Sequence, residues 1–142
     1  MSEISNPMTE SKTVLIVEDS AVQALSLMEL LRQHGMEVLW ALDGRLALKM
    51  AQHYRPEYIV LDLEMPEMDG LKTCERLKES LATRDIPIIM LTAHTETEAV
   101  RQGLDLGAID YIPKDAFSGN VLLETLRQLE LEEKAKIYEA QE

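Results

Sequence analysis

Short β-branched apolar runs alternate along the chain with stretches of helical periodicity. Thr13-Val14-Leu15-Ile16-Val17 carries no polar alternation, the pattern of a strand buried on both faces of a parallel sheet. Ser20 with Gln23 three residues on forms a capping-box pattern, and Val22, Leu25, Met28 and Leu31 keep helical spacing up to Gly35, a C-terminal stop. Met36 to Ala41 reads as a second strand. Asp43-Gly44 opens a second helix with Leu46, Ala47 and Met50 on one face, stopped near Pro56. Tyr58-Ile59-Val60-Leu61 is a third strand running into Asp62, and a loop, Glu64-Met65-Pro66-Glu67-Met68-Asp69-Gly70, follows it. A helix over Leu71 to Ser80, a strand over Pro87 to Leu91, a helix capped by Thr95 with Glu98 and closed by Gly107, and a short strand over Ile109 to Ile112 come next. Pro113 cannot donate to a ladder, which places that fifth strand at a sheet edge. A last helix begins after Ser118 and runs almost to the end, with Leu122, Leu126 and Leu129 as its packed stripe.

Five strand–helix pairs predict an α/β three-layer sandwich on a parallel sheet joined by right-handed crossovers. Residues 13–131 form the domain, 1–12 a polar N-terminal tail, and 132–142 a helical extension. In that extension Glu130–Lys134 and Glu132–Lys136 are favourable i,i+4 pairs worth ~0.2–0.5 kcal/mol each. Leu131, Ala135 and Tyr138 form a stripe that the core does not cover, which makes the segment a candidate dimer contact, a connector, or a solvated tail. The 142 residues suit one core, and the apolar fraction of 46% fills it.

Charge narrows the partners. With 26 acids against 14 bases the net charge is −12, which argues against direct nucleic-acid binding and against anionic membranes, and in favour of protein partners. No stretch approaches the ~20 consecutive apolar residues of a membrane span. The single cysteine, Cys74, has no partner for a disulfide, and the N-terminus lacks a signal-peptide pattern. Both point to a cytoplasmic location.

The candidate chemistry lies in where the acids fall. Glu18 and Asp19 directly follow the first strand and Asp62 the third, Thr92 ends the fourth, and Lys114 follows the fifth. Ligands of open parallel sheets bind at the carboxyl ends of the strands, where strand order reverses. With order 2-1-3-4-5, Glu18, Asp19 and Asp62 converge across that crevice. Three carboxylates in one pocket repel each other unless a cation neutralises them or one protonates, and Mg²⁺ suits such a site because it binds one or two carboxylates, keeps waters and accepts a phosphate oxygen. Lys114 adds a fixed positive charge and Thr92 a hydroxyl donor. Together they form a phosphoryl site with a carboxylate nucleophile.

These residues resemble the response-regulator receiver domain of bacterial two-component signalling, the CheY-like family, over roughly Thr13 to Leu131. The resemblance rests on Val17-Glu18-Asp19-Ser20, on Leu61-Asp62-Leu63-Glu64-Met65-Pro66 with Asp69-Gly70, on Leu91-Thr92-Ala93, on Tyr111 and on Lys114. It implies a flavodoxin-like (βα)5 fold and phosphorylation of Asp62 by a histidine kinase or histidine phosphotransfer protein. It further implies Mg²⁺ held by Asp19, Asp62 and the backbone carbonyl of Glu64, with Glu18 acting through water. Thr92, Ala93 and Lys114 would contact the phosphoryl oxygens, and Thr92 and Tyr111 would switch the face formed by the fourth helix, fifth strand and fifth helix toward a downstream protein target or output domain. That face or the C-terminal helix is the candidate homodimer surface. The resemblance implies a switch rather than an enzyme, with at most self-phosphorylation from small donors and autodephosphorylation. Glu64 and His94 occupy positions that vary across the family and influence phosphate lifetime. One departure is visible: Asp115 stands where proline commonly follows the lysine, often through a cis peptide. A non-proline cis bond costs ~2.5–4 kcal/mol, so a trans bond is expected here.

Three rivals fit less well. A haloacid-dehalogenase-type phosphatase needs a second Asp two residues after the nucleophile, where this chain has Glu64. A flavodoxin-like cofactor module needs a phosphate loop that Glu18-Asp19 would repel. A phosphorylation-independent adaptor has no need of the full residue set.

Overall fold

The computed structural model describes residues 12–65, 70–95, 97–115 and 118–141. The expected N-terminal tail through residue 11, the loop stretch Pro66 to Asp69, and Glu142 lie outside the described residues. The elements are β1 (Thr13–Val17), α1 (Ala21–Gln33), β2 (Glu37–Ala41), α2 (Gly44–Tyr54), β3 (Tyr58–Asp62), α3 (Gly70–Glu79), β4 (Ile88–Thr92), α4 (Glu98–Leu106), β5 (Asp110–Pro113) and α5 (Ser118–Ala140). The five strands form one parallel sheet in the order β2-β1-β3-β4-β5. β5 is an edge strand, as Pro113 requires.

Successive side chains of a strand point to opposite faces, so each buried strand feeds two cores. Leu15 and Val17 of β1 join Ile59, Leu61, Ile88 and Met90 beneath α2, α3 and α4. Val14 and Ile16 face the other way with Val60, Ile89 and Ile112, covered by α1 and α5. This three-layer arrangement is the expected flavodoxin-like α/β sandwich.

The helix ends follow local chemistry. The Ser20 hydroxyl accepts from the Gln23 N–H, and Asp43 accepts from the Leu46 N–H at 2.8 Å. Gly35 and Gly107 take positive φ after α1 and α4, the left-handed geometry that stops a helix. α2 ends on Arg55 in the left-handed region, just before Pro56. No cis peptide occurs among the described residues, so Lys114–Asp115 is trans, as expected. α5 runs without a break across residue 131 to Ala140. Leu122 and Leu126 pack on the sheet with Leu129 beside them, while Leu131, Ala135 and Tyr138 stay exposed. The Glu130–Lys134 pair is formed at 3.4 Å.

Three local expectations are corrected. α1 buries Ala24, Leu27, Met28 and Leu31, whereas Val22 is 80% and Leu25 55% exposed. Positions three apart advance 300°, so a pure i+3 series drifts round the helix and leaves the face it began on. α2 buries Ala47 and Ala51 and packs Met50 on the core, but turns Leu46 outward, because the small side chains let the helix sit close to the sheet. The cap of α4 is Thr97, whose hydroxyl accepts from the Val100 N–H; Thr95 lies two residues short of the first turn.

Candidate functional site

Register brings the site together. Val17 of β1 lies opposite Leu61 of β3, so Glu18, one step past the end of β1, falls beside Asp62. Asp62 lies opposite Leu91, and Thr92 extends one residue beyond it. Thr92 lies opposite Pro113, so Lys114 emerges next to Thr92, its N–H donating to the Thr92 carbonyl at 2.9 Å. β1, β3, β4 and β5 therefore end at one level, and each delivers polar side chains to the same rim.

Gly70 holds the start of α3 against that rim. A Cβ on Gly70 would lie 2.6 Å from both the Asp62 carbonyl oxygen and the Leu63 Cα, inside any permitted contact. Only glycine allows α3 to begin this close to the end of β3.

Glu18, Asp19 and Asp62 offer oxygens that all lie within 4.8 Å of one another. Glu18 and Asp62 are each 1% exposed, while Asp19 faces solvent. One oxygen of each buried acid is engaged: Glu18 Oε2 accepts from the Ser20 N–H at 3.1 Å, and Asp62 Oδ1 accepts from the Glu64 N–H at 2.8 Å. The other two, Glu18 Oε1 and Asp62 Oδ2, are buried without a hydrogen-bond partner. Burial and the adjacent Asp62 push the Glu18 carboxyl up to about 8, against the opposing pull of the Ser20 N–H and Lys114. Two orphaned buried carboxylate oxygens beside a solvent-facing third acid are the donor set a hard, oxygen-preferring divalent cation takes, so the residues fit Mg²⁺. On the β2 side, the Trp40 indole N–H donates to the Glu18 carbonyl at 2.7 Å, and the Glu18 N–H donates to Ala41.

The opposite wall is positive. Lys114 Nζ lies 2.6 Å from Asp62 Oδ1 and 3.4 Å from Glu64 Oε1. Burial alone would push the ammonium down, but contact with Asp62 and the nearby carboxylates outweigh it and hold it above the ordinary lysine range. The buried Thr92 hydroxyl accepts from the His94 N–H at 3.0 Å and donates to Glu64 Oε2 at 2.7 Å, and the Ala93 N–H donates to Glu64 Oε1 at 2.9 Å. Burial would raise the Glu64 carboxyl, yet these bonds and Lys114 leave it below the usual carboxylate range.

The structure thus brings together Glu18, Asp19, Asp62, Thr92, Ala93 and Lys114. Tyr111 is not part of this rim; it sits on the edge strand opposite Met90, 37% exposed. The capture of the Glu64 side chain is the feature that sequence reasoning missed. A Glu two residues past a strand end reads as a loop acid, and nothing local says that it reaches across to Thr92. Cys74 is buried in α3, and burial pushes its thiol up, as expected of an inert cysteine. A cavity of about 610 Å³ adjoins the acids between α1 and the start of α5, bounded by Glu18, Leu27, Leu91, Lys114 and Ser118. A larger groove of about 920 Å³ lies at the far end of the strands, lined by Tyr58, Ile109, Val121 and Glu133, and holds none of these groups. Among the described residues no helix is long and apolar enough to cross a membrane.

Comparison with known proteins agrees with this fold. Residues 14–127 match the response regulator receiver domain. The chain is 40% identical over 116 residues to the response regulator MprA of Mycolicibacterium vanbaalenii, covering 82% of this chain and 49% of that protein. It spans about half or less of the length of such curated relatives. Among solved structures, chemotaxis protein CheY4 of Vibrio cholerae superposes with a TM-score of 0.78 at 34% identity, over 83% of this chain and 98% of that one. The receiver domain of a sensor histidine kinase from Pseudomonas aeruginosa, which carries a magnesium ion in its active-site cleft, superposes with a TM-score of 0.76 at 29% identity, over 83% and 96%. On strand order, register and sequence match together, the chain belongs to the response regulator receiver domain family.

Proposed function

We propose that the chain is a phosphoacceptor switch in which Asp62 takes a phosphoryl group from a histidine kinase or a histidine phosphotransfer protein. The observation that carries this reading is the state of Asp62: a buried carboxylate with one unpartnered oxygen, flanked by two acids on one side and by Lys114 on the other. An Asp62 oxygen forms the new O–P bond while the P–N bond of the donor phosphohistidine breaks, and the electron pair leaves with the imidazole. Asp19, Asp62 and the Glu64 carbonyl would hold Mg²⁺, with Glu18 behind them through water. The ion supplies charge neutralisation for the acids and the incoming phosphoryl oxygens. Lys114, the Thr92 hydroxyl and the Ala93 N–H would donate to those oxygens.

Surface features support protein partners on both sides of the rim. Val22 exposes apolar surface on α1 next to Glu18, and Leu25 adds to it along the helix, where a phosphodonor protein would dock. Leu104, Tyr111 and Val121 expose more on α4, β5 and α5, with Ile109 between α4 and β5. Inward movement of Thr92 followed by Tyr111 would alter that second face and so change its affinity for a target or output domain.

The test is intact mass after incubation with a small phosphodonor such as phosphoramidate, with and without Mg²⁺. The expected result is one phosphoryl adduct on wild type that requires Mg²⁺ and is absent from Asp62→Asn. A folded protein that takes no adduct from small donors or from a cognate phosphodonor protein would instead be a phosphorylation-independent adaptor.

A further inference from the structure

The donors that would receive the phosphoryl group are already occupied by an anion of the chain itself. Both oxygens of the Glu64 carboxylate are bound, Oε2 by the Thr92 hydroxyl at 2.7 Å and Oε1 by the Ala93 N–H at 2.9 Å, with Lys114 Nζ 3.4 Å from Oε1. These are the three groups assigned above to the phosphoryl oxygens: Thr92 and Ala93 each donate to the Glu64 carboxylate instead, while Lys114 pairs with it loosely and holds Asp62 more closely, at 2.6 Å. A donor N–H presents one hydrogen and a hydroxyl presents one hydrogen, so neither can serve Glu64 and a phosphoryl oxygen fully at once.

We propose that the Glu64 side chain is a tethered competitor for the phosphoryl site, filling the Thr92–Ala93–Lys114 cradle in the unphosphorylated chain and leaving it when Asp62 is phosphorylated. The proposal rests on the phosphoacceptor reading and adds a regulatory element to it. Glu64 follows Asp62 by two residues, and its own N–H stays bound to Asp62 Oδ1 at 2.8 Å. Its backbone is therefore fixed while its side chain, one-third exposed, has solvent to swing into. The exchange is anion for anion, so the cradle keeps its charge balance in both states. Displacing the carboxylate breaks two direct hydrogen bonds, which slows uptake and sets a threshold that a docked phosphodonor protein must meet.

Glu64→Ala and Glu64→Asp test this, since both leave the backbone carbonyl in place. Phosphorylation by phosphoramidate with Mg²⁺ is followed by intact mass, and the Ala93 amide signal is followed by NMR in the unmodified proteins. The expected result is uptake about tenfold faster in both variants, a barrier change worth ~1.4 kcal/mol, together with a shifted Ala93 amide before any donor is added. Asp carries the same charge on a side chain one methylene shorter. Wild-type speed in Glu64→Asp with acceleration only in Glu64→Ala would mean general charge repulsion and overturn the competitor. Equal rates in all three proteins, or an unmoved Ala93 amide, would overturn it while leaving Asp62 the acceptor. No adduct on any of them would remove the phosphoacceptor reading and the competitor with it.

Discussion

At Glu18, burial and the adjacent Asp62 hold the carboxyl at about 8, against an ordinary value of 4.5. The folded state therefore binds this proton more tightly than the unfolded chain does, and the sign of the linkage follows. The contribution is fully present below pH 4.5 and is lost as pH rises through about 8. The thermal midpoint of metal-free protein should fall by a few degrees between about pH 5 and about pH 8.5. Mg²⁺ should shrink that fall, because a cation favours the ionised acid, and Glu18→Gln should abolish the part due to this group. Circular dichroism melts at the two pH values check all three. Glu64 does not confuse the window: its carboxyl lies below the ordinary range, so its contribution is present above pH 4.5 and is lost only as pH falls further. The meeting of the acids was legible in the sequence because strand ends are legible, and in a parallel sheet the residue past each end goes to a common rim. The Glu64 contact was not legible, because it depends on how far a side chain reaches across two strands.

Gly70 acts at the level of the element. It is the first residue of α3 and touches the backbone at the end of β3, so a methyl group there has nowhere to go. Gly70→Ala should destabilise the fold by about 1–3 kcal/mol, the usual cost of overpacking, and should also slow phosphoryl uptake by moving Asp62. Denaturant titration and the mass assay read the two effects separately. Element existence and order were readable from the sequence, while helix faces were less so. The α1 reading held for the helix and for Met28 and Leu31, while Val22 and Leu25 continue a three-residue spacing that rotates away from Leu31. The α2 reading held for Ala47 and Met50 and missed for Leu46, because the sheet-facing side is largely alanine, which carries little hydrophobic signal. At α4 two threonines compete for one cap, and only the fold shows that the nearer one, Thr97, takes it.

The whole molecule extends past the end of the matched family region through the continuous helix α5. Its outer turns are tied back to the sheet at one point, where the buried Tyr58 hydroxyl donates to Glu133 Oε1 at 3.0 Å. Truncation after Leu131 should cost about 1 kcal/mol, the net worth of one such hydrogen bond, and should leave Mg²⁺-dependent adduct formation intact. If the exposed stripe of Leu131, Ala135 and Tyr138 mediates a dimer, the same truncation converts it to monomer in sedimentation velocity; an unchanged sedimentation coefficient per chain excludes that role. Trp40 gives the molecule one more property. It is the single tryptophan of the chain, and its indole is wired by a 2.7 Å bond to the backbone of the acid pair. The protein therefore carries its own fluorophore at the rim. If the acid pair binds Mg²⁺, emission intensity should change as the cation is titrated in, giving a label-free readout of the pocket.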